Sequence, residues 1–402
     1  MFELMESKKD NIIIKVIGIG GGGGNAVSYM VNKNFNKNNI EFIYANTDKQ
    51  ALKNSNVKIQ IQLGETLSNG FGAGSNPNLG RESANESKDK IKEILFGADM
   101  LFITAGMGGG TGTGASPVFA QISKELGILT VAVVTKPFLF EGKQRSLIAE
   151  DGIYQLSKYV DSLIVIPNSR LVTVLGKKIT LVNAFKVVND ILFRAVKGIS
   201  DLIVKPGLIN VDFADIRTVM SKTGIAMIGT GSAFGDDRAC RAAESAISSP
   251  FLEGINLSGA RGILVNITSN ESISIGEFQE VGDIVREFIL DDATVIIGSV
   301  IDETVKEKIV VTVIITGLNN CFYIDKNQHN NMLLNFSRKS FIVPSRNNSS
   351  IFEFCKLDNS LMSKFKKNNL RETTKLNGDL ISNERDSLDI PNFLRKKDEK
   401  LE

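Results

Sequence analysis

Apolar residues in the first half of the chain fall into short, β-branched runs: 12–19 (interrupted by Lys15), 41–46, 100–104, 129–135 and 162–167. Each is long enough for a buried strand and too short for a helix. Between them the apolar spacing changes to three and four, over 81–96, 115–126 and a segment that runs on through Tyr154. Alternation of this kind predicts a doubly wound parallel sheet, with a ligand at the carboxyl ends of its strands. From Thr180 onward the period is helical for some two dozen residues. Leu181, Ala184, Phe185, Val188, Ile191, Leu192, Ala195, Ile199, Leu202 and Ile203 share one stripe, Thr180 is placed as an N-cap, and Pro206-Gly207 forms a stop. At 1.5 Å per residue this helix spans roughly 35 Å. Four further strands, 225–230, 263–268, 293–298 and 309–316, alternate with helices over 237–248 and 277–290 and predict a second α/β domain. The order is therefore an extension (1–11), a first α/β domain (12–179), a central helix (180–208), a second α/β domain (209–317), an Asn-, Ser- and Lys-rich linker read as largely disordered (318–385), and a tail (386–402) that regains apolar and basic residues.

Two of the turns in this pattern carry chemistry. Gly108-Gly109-Gly110-Thr111-Gly112-Thr113-Gly114 lies between a strand and a helix. Five glycines in seven positions let backbone N–H groups converge on an anion, and the helix that follows adds its positive end. Thr111 and Thr113 offer hydroxyls to phosphate oxygens. A tight turn packed on glycine explains one or two of these residues, not five. The second turn, Gly20-Gly21-Gly22-Gly23-Gly24-Asn25, opens a helix after the first strand; Gly18, Gly20 and Gly23 satisfy GxGxxG, and Asp48 ends the next strand region. That pattern alone also fits a dinucleotide enzyme. Two phosphate loops and the lack of an evident proton donor for hydride chemistry weigh against it, and no Lys-Ser/Thr pair follows either loop to make a Walker motif. Gly70–Gly74 is a third glycine-rich loop, read equally as a nucleotide edge or a surface loop. Glu141 and Arg145 stand four apart at a helix start. They form a surface ion pair or, alternatively, a carboxylate for a ribose and a guanidinium for a phosphate. After the long helix, Asp212 and Asp215 lie three apart beside Asn210, where capping accounts for one acid and water activation or cation binding would use both.

Composition narrows the choice. The chain has 402 residues, 42% hydrophobic and 23% charged, with a net charge of +2, which gives no electrostatic footprint for nucleic acid. One histidine, His329, and three scattered cysteines, Cys240, Cys321 and Cys355, argue against a His-based triad and against a zinc site, and fit reduced thiols in the cytoplasm. The charged N-terminus does not read as a signal peptide, and no apolar run is long enough to cross a membrane.

Gly108 to Gly114, with Gly20 to Val27, Asn46-Thr47-Asp48, Pro137 to Gly142, the acidic stretch from Asn210 to Asp215 and the end segment 388–395, resembles the FtsZ family of tubulin-like GTPases. The resemblance covers about 12–317 plus the tail; the linker does not match. It implies a tubulin/FtsZ-like fold with 12–179 as the GTP-binding domain. Gly21, Gly22, Gly23, Gly24 and Asn25 together with Gly108 to Gly114 (Gly108, Gly109, Gly110, Thr111, Gly112, Thr113, Gly114) would hold the phosphates of GTP or GDP. Glu141 would take the ribose, Arg145 would lie near the phosphates, Phe185 would stack on guanine and Asn189 would read its edge, with Asp190 an uncertain contributor. Mg²⁺ would sit mainly on phosphates and water, with no protein metal cage. The resemblance further implies a head-to-tail homopolymer forming the cytokinetic ring in the cytoplasm, at mid-cell on the inner face of the membrane. Membrane-anchor and regulatory division proteins such as FtsA would bind through 388–397, with neither nucleic-acid binding nor membrane insertion. A tubulin-like filament for plasmid segregation is a further alternative, disfavoured by the tail.

If Phe185 and Asn189 hold the base, Asn210, Asp212 and Asp215 lie beyond the other end of the helix. The distance from Asn189 to Lys205 is on the order of 24 Å, whereas a general base must approach its water to about 3 Å. The acids are expected to serve the next subunit's nucleotide, across a contact that does not close and so yields a filament.

Overall fold

The computed structural model describes residues 12–33, 39–176, 178–205, 207–209, 211–222, 224–249, 251–252, 259–287 and 293–318, all within one compact unit, Met1–Lys326. The expected linker and tail lie outside the described residues, apart from Leu318, which ends the last strand, and so do Asn210, Cys321, His329 and Cys355.

In chain order the elements are β1 (Ile14–Ile19), α1 (Gly20–Asn32), β2 (Ile40–Asn46), α2 (Lys49–Lys53), β3 (Ile59–Gln62), α3 (Pro77–Glu86), α4 (Lys88–Leu95), β4 (Met100–Gly106), α5 (Thr111–Glu125), β5 (Leu129–Lys136), a 3-10 turn (Leu139–Glu141) and α6 (Lys143–Ser157). They continue with β6 (Ser162–Pro167), α7 (Asn168–Leu175), α8 (Leu181–Val204), α9 (Phe213–Met220), β7 (Ile225–Ala233), α10 (Arg238–Ile247), β8 (Gly262–Ser269), α11 (Ile275–Glu287), β9 (Thr294–Ile301) and β10 (Ile309–Leu318).

The two expected α/β domains share one ten-stranded sheet, ordered β3-β2-β1-β4-β5-β6-β7-β10-β8-β9. From β3 to β6 every pairing is parallel. Beyond β7 the sheet turns mixed, with β10 antiparallel to both β7 and β8. The halves meet through only two residue pairs, Leu163↔Ile225 and Ile164↔Ala226, so backbone hydrogen bonds contribute little at the seam. The long helix supplies the join. Val188, Leu192, Ala195, Ile199 and Leu202 of α8 are buried in one cluster that takes in Ile164 and Ile166 on one side and Ala226, Ile228, Leu264 and Ile314 on the other. The opposite face of the parallel half packs on α3 to α6, with Phe102 on the α8 side and Phe119 on the other among its largest buried residues. The corresponding face of the other half packs on α10 and α11.

Two local differences from the sequence pattern have physical causes. The segment 81–96 is two helices, divided at Ser87, whose backbone leaves the helical region (φ −96°, ψ 15°) and whose hydroxyl accepts the Gly64 N–H at 3.2 Å. The first of them starts earlier than its apolar spacing implies, at Pro77, with Asn76 accepting the Asn78 N–H at 3.0 Å; this is an N-cap followed by proline at N1.

Candidate functional site

Five segments meet at the carboxyl ends of the parallel strands. The turn after β1 enters α1 directly, so Gly20 to Gly24 form its first turns rather than a loop ahead of it. A Cβ on Gly20 would stand 2.8 Å from the Gly112 nitrogen, which sets the first turn against the second. The third glycine-rich loop leans on the same place, since a Cβ on Gly110 would meet Ala73 at 2.8 Å and the Asn76 nitrogen at 2.9 Å. A Cβ on Gly108 would meet the Arg145 carbonyl at 2.8 Å, so the segment from Pro137 to Arg145 closes over the signature turn. Phe138 then meets Phe185 edge-on at 5.5 Å, and the Tyr29 hydroxyl donates to Asp190 at 3.0 Å, tying α8 back to α1. The ring of segments is closed.

Within it the glycines divide into two kinds. Gly23, Gly24, Gly112 and Gly114 are packing residues: side chains there would run into the Thr104 carbonyl, the Tyr44 ring, the Gly106 carbonyl and the Pro77 carbonyl. Gly21 and Gly109 face open space, with nothing within 4 Å of an added Cβ, and Gly22, like Gly21 and Asn25, is exposed. Gly108 has φ +102, a backbone that excludes most side chains. The α5 helix starts at Thr111, so its first N–H groups have no intrahelical acceptor and point back toward Gly109. This is a cradle of backbone donors at a helix N-terminus, suited to an anion.

The two threonine hydroxyls are engaged within the protein. Thr113 Oγ1 accepts the Gly108 N–H at 2.9 Å, and Thr111 Oγ1 shares a hydrogen bond with Thr47 Oγ1 at 2.7 Å. They hold the turn's shape. Glu141 accepts the Phe138 N–H at 2.8 Å and pairs with Arg145 at 2.6 Å, with Arg145 half exposed. The surface ion pair is thus formed, and it closes the 3-10 turn as well. Phe185 is 43% exposed and packs edge-on against Phe138, and Asn189, one turn further along α8, is half-buried. Asp190 is held by Tyr29 and by Arg194 at 2.7 Å. Sequence reasoning did not single out Tyr29; Thr47 and Phe138 stood inside the marked segments Asn46-Thr47-Asp48 and Pro137 to Gly142, but neither was given a role of its own.

Asp212 and Asp215 are not part of this ring. They lie past the end of α8, both exposed, at the start of α9. Asp212 occupies the N-cap position, but its side chain makes no capping hydrogen bond, so capping does not account for the acid. Behind them α8 ends in an ion cluster. Lys205 reaches Asp302 at 2.8 Å and Asp201 at 3.3 Å, and Lys197 pairs with Asp201 and Asp302. Burial works against the charged form of Asp302, but hydrogen bonds from Lys205 and Thr304 outweigh it and hold the carboxyl well below the usual range. Burial also opposes the Lys205 charge, and the Asp302 and Asp201 carboxylates overcome it and raise its pKa.

The model of the Tubulin/FtsZ family GTPase domain matches residues 13–176, and that of the FtsZ family C-terminal domain matches 224–319. The chain is 59% identical to the cell division protein FtsZ of Coxiella burnetii over 320 residues, covering 80% of this chain and 82% of that protein. It is 52% identical to the FtsZ of Buchnera aphidicola subsp. Baizongia pistaciae over 397 residues, 99% of this chain and 100% of the relative. Among solved structures, the empty FtsZ dimer of M. jannaschii superposes with a TM-score of 0.73 at 41% identity, covering 79% of this chain and 90% of that one. Fold and cradle together define a tubulin-like GTPase. The chain belongs to the FtsZ family.

Proposed function

We propose that the chain binds GTP in the ring of five segments, assembles head to tail, and hydrolyses GTP only where one subunit's acids meet the next subunit's nucleotide, forming the cytokinetic ring at the septum. The observation that carries this reading is the helix between the two sites. α8 runs unbroken through 24 residues, on the order of 36 Å at 1.5 Å per residue. The cradle lies at its start and Asp212 and Asp215 beyond its end. The first-turn N–H groups of α5 and the open faces of Gly21 and Gly109 would take the phosphates, Phe185 and Asn189 the base, and Glu141 the ribose. The neighbour's Asp212 or Asp215, with Asn210, would orient a water and accept its proton as it attacks the terminal phosphorus. Backbone donors would stabilise the charge on the departing diphosphate. Loss of that phosphate would weaken the joint between subunits.

A divalent ion fits as a companion of the phosphates. No group of three or more His, Cys, Asp or Glu converges among the described residues, and the Asp48 carboxylate is taken up by the Gln50 and Ala51 N–H groups. Mg²⁺ would thus be held by phosphate and water, as its reluctance to dehydrate favours, supplying charge neutralisation. Recruitment to the inner face of the membrane would use 388–397 and anchor proteins such as FtsA; among the described residues no helix is long and apolar enough to cross a membrane.

Light scattering and phosphate release, followed together on the purified chain, test the proposal. Hydrolysis per subunit should rise from near zero above a threshold concentration, in step with scattering. A full rate in unassembled chain would refute it.

A further inference from the structure

β9 is the last strand of the sheet, and an uncovered strand edge leaves a row of unpaired backbone groups. At Ser299 this edge is met by Ile209, in the stretch that follows α8. The Ser299 N–H donates to the Ile209 carbonyl at 3.2 Å, and the Ile209 N–H donates to the Ser299 hydroxyl at 3.0 Å. Two glycines permit this approach. A Cβ on Gly207 would overlap the Ser299 carbonyl, and one on Gly298 would stand 2.6 Å from Val211 and 2.7 Å from Leu202. Three residues after Ser299, Asp302 takes the Lys205 ammonium at 2.8 Å, which fixes the loop where it leaves the helix. Both anchors therefore belong to one strand end, and Asp212 follows directly after the clasped segment.

We propose that Ser299 is a positioning residue for the hydrolytic acids: its hydroxyl and N–H clamp Ile209, and so set where Asp212 stands relative to the next subunit's nucleotide. This rests on the reading that Asp212 acts in trans. Ser299 touches neither nucleotide nor acid. It is 3% exposed and takes no part in the cradle. Ile209 stands three positions before Asp212 in the chain, and an ångström of drift is enough to slow a positioned base.

The test compares Ser299→Ala and Ser299→Thr with the unaltered chain, full length, in GTP and Mg²⁺, and runs Asp212→Ala beside them. S299A should bind GTP with unchanged affinity and assemble at an unchanged critical concentration. It should release phosphate about tenfold more slowly per assembled subunit, with the loss in kcat and not in KM. S299T keeps the hydroxyl and should return to within twofold of the unaltered rate. Ser299→Cys fills the same space with a poor acceptor; it carries the test if the alanine variant does not fold, and must also be slow. An unaltered rate in S299A or S299C overturns the proposal. So does S299T being as slow as S299A, or a raised critical concentration with a normal rate per assembled subunit. If D212A itself turns over normally, the assignment of the acids fails instead; D212A slow with S299A fast overturns the positioning role alone.

Discussion

The two ends of α8 are built from different materials. At the nucleotide end the contacts are backbone against backbone: Gly20 on Gly112, Gly110 on Asn76, Gly108 on Arg145. Few charges hold it, and those present, such as Glu141 with Arg145, are partly exposed. At the acid end a loop hangs on buried or half-buried charges, Lys205 with Asp201 and Asp302, while Arg238 and Glu277 brace the same half of the sheet at 2.6 Å. A phosphate cradle must keep fixed donors close together with no side chain in the way. A loop that offers carboxylates to a neighbour needs only to be held at the right height. On the proposed function, this contrast would separate binding from turnover.

Asp212→Ala breaks the comparison most sharply. General-base and water-orienting residues contribute about 10²–10⁴-fold, so GTP turnover in assembled chain should fall at least 100-fold while GTP affinity is unchanged. Replacing an N-cap aspartate ordinarily costs ~1 kcal/mol. This one makes no capping bond, so the melting temperature should hardly move. Nucleotide affinity, phosphate release and a thermal melt check all three statements.

The glycines sharpen the nucleotide side. Gly109→Ala meets nothing within 4 Å and should leave stability unchanged, yet its methyl would occupy the mouth of the cradle and weaken GTP binding about tenfold. Gly112→Ala should do the reverse in the nucleotide-free chain. Its Cβ would stand 2.6 Å from the Gly106 carbonyl, and overpacking of this kind costs about 1–3 kcal/mol. Chemical denaturation and nucleotide titration on both variants would expose a cradle assigned to the wrong residues, if G109A bound GTP normally.

The half of the sheet that carries the acid end should be the one that responds to pH. The Arg238 hydrogen bond holds Glu277 at about 2, against burial, and Asp302 is likewise held low. A carboxyl depressed on folding contributes stability above its unfolded pKa of about 4.5, and that contribution is lost as the pH falls toward 2. Glu277 alone should account for on the order of 3 kcal/mol across this window. Glu277→Gln should lower stability at neutral pH by a similar amount and flatten the acid limb of a denaturation series; an unchanged limb would remove the ion pair from the account.

Much of the fold was legible in the sequence. The α8 stripe and its Thr180 cap predicted Leu181–Val204 closely, because a long amphipathic period with a cap and a proline stop leaves little freedom; Thr180 Oγ1 does accept the Asn183 N–H at 3.3 Å. The glycine-rich turns were visible as such, but which glycines serve packing and which stay open depends largely on contacts with Thr104, Tyr44 and Pro77, far away in sequence. The single sheet was not legible, since the seam rests on two residue pairs that carry no pattern of their own. β3 and α7 were missed. β3 has four residues and two glutamines on an edge, and α7 follows a strand with no cap signal. Ser299 was unreadable for the same reason as the glycine contacts: a lone serine in an apolar strand shows its partner only once Ile209 is folded against it.

The smallest effect decides the Glu141 question. If the carboxylate serves only Arg145, Glu141→Gln should lower stability by ~0.2–0.5 kcal/mol and leave GTP affinity alone; the amide oxygen can still accept the Phe138 N–H now bound at 2.8 Å, so the turn survives. If it also accepts a ribose hydroxyl, the unaltered chain should bind GTP several-fold more tightly than its 2′- or 3′-deoxy analogue, and that preference should shrink in E141Q. Comparing both proteins with both nucleotides isolates the interaction, because each substitution alone removes the same hydrogen bond. A preference that survives intact in E141Q would leave the carboxylate with its arginine and hand the ribose to another residue of the ring.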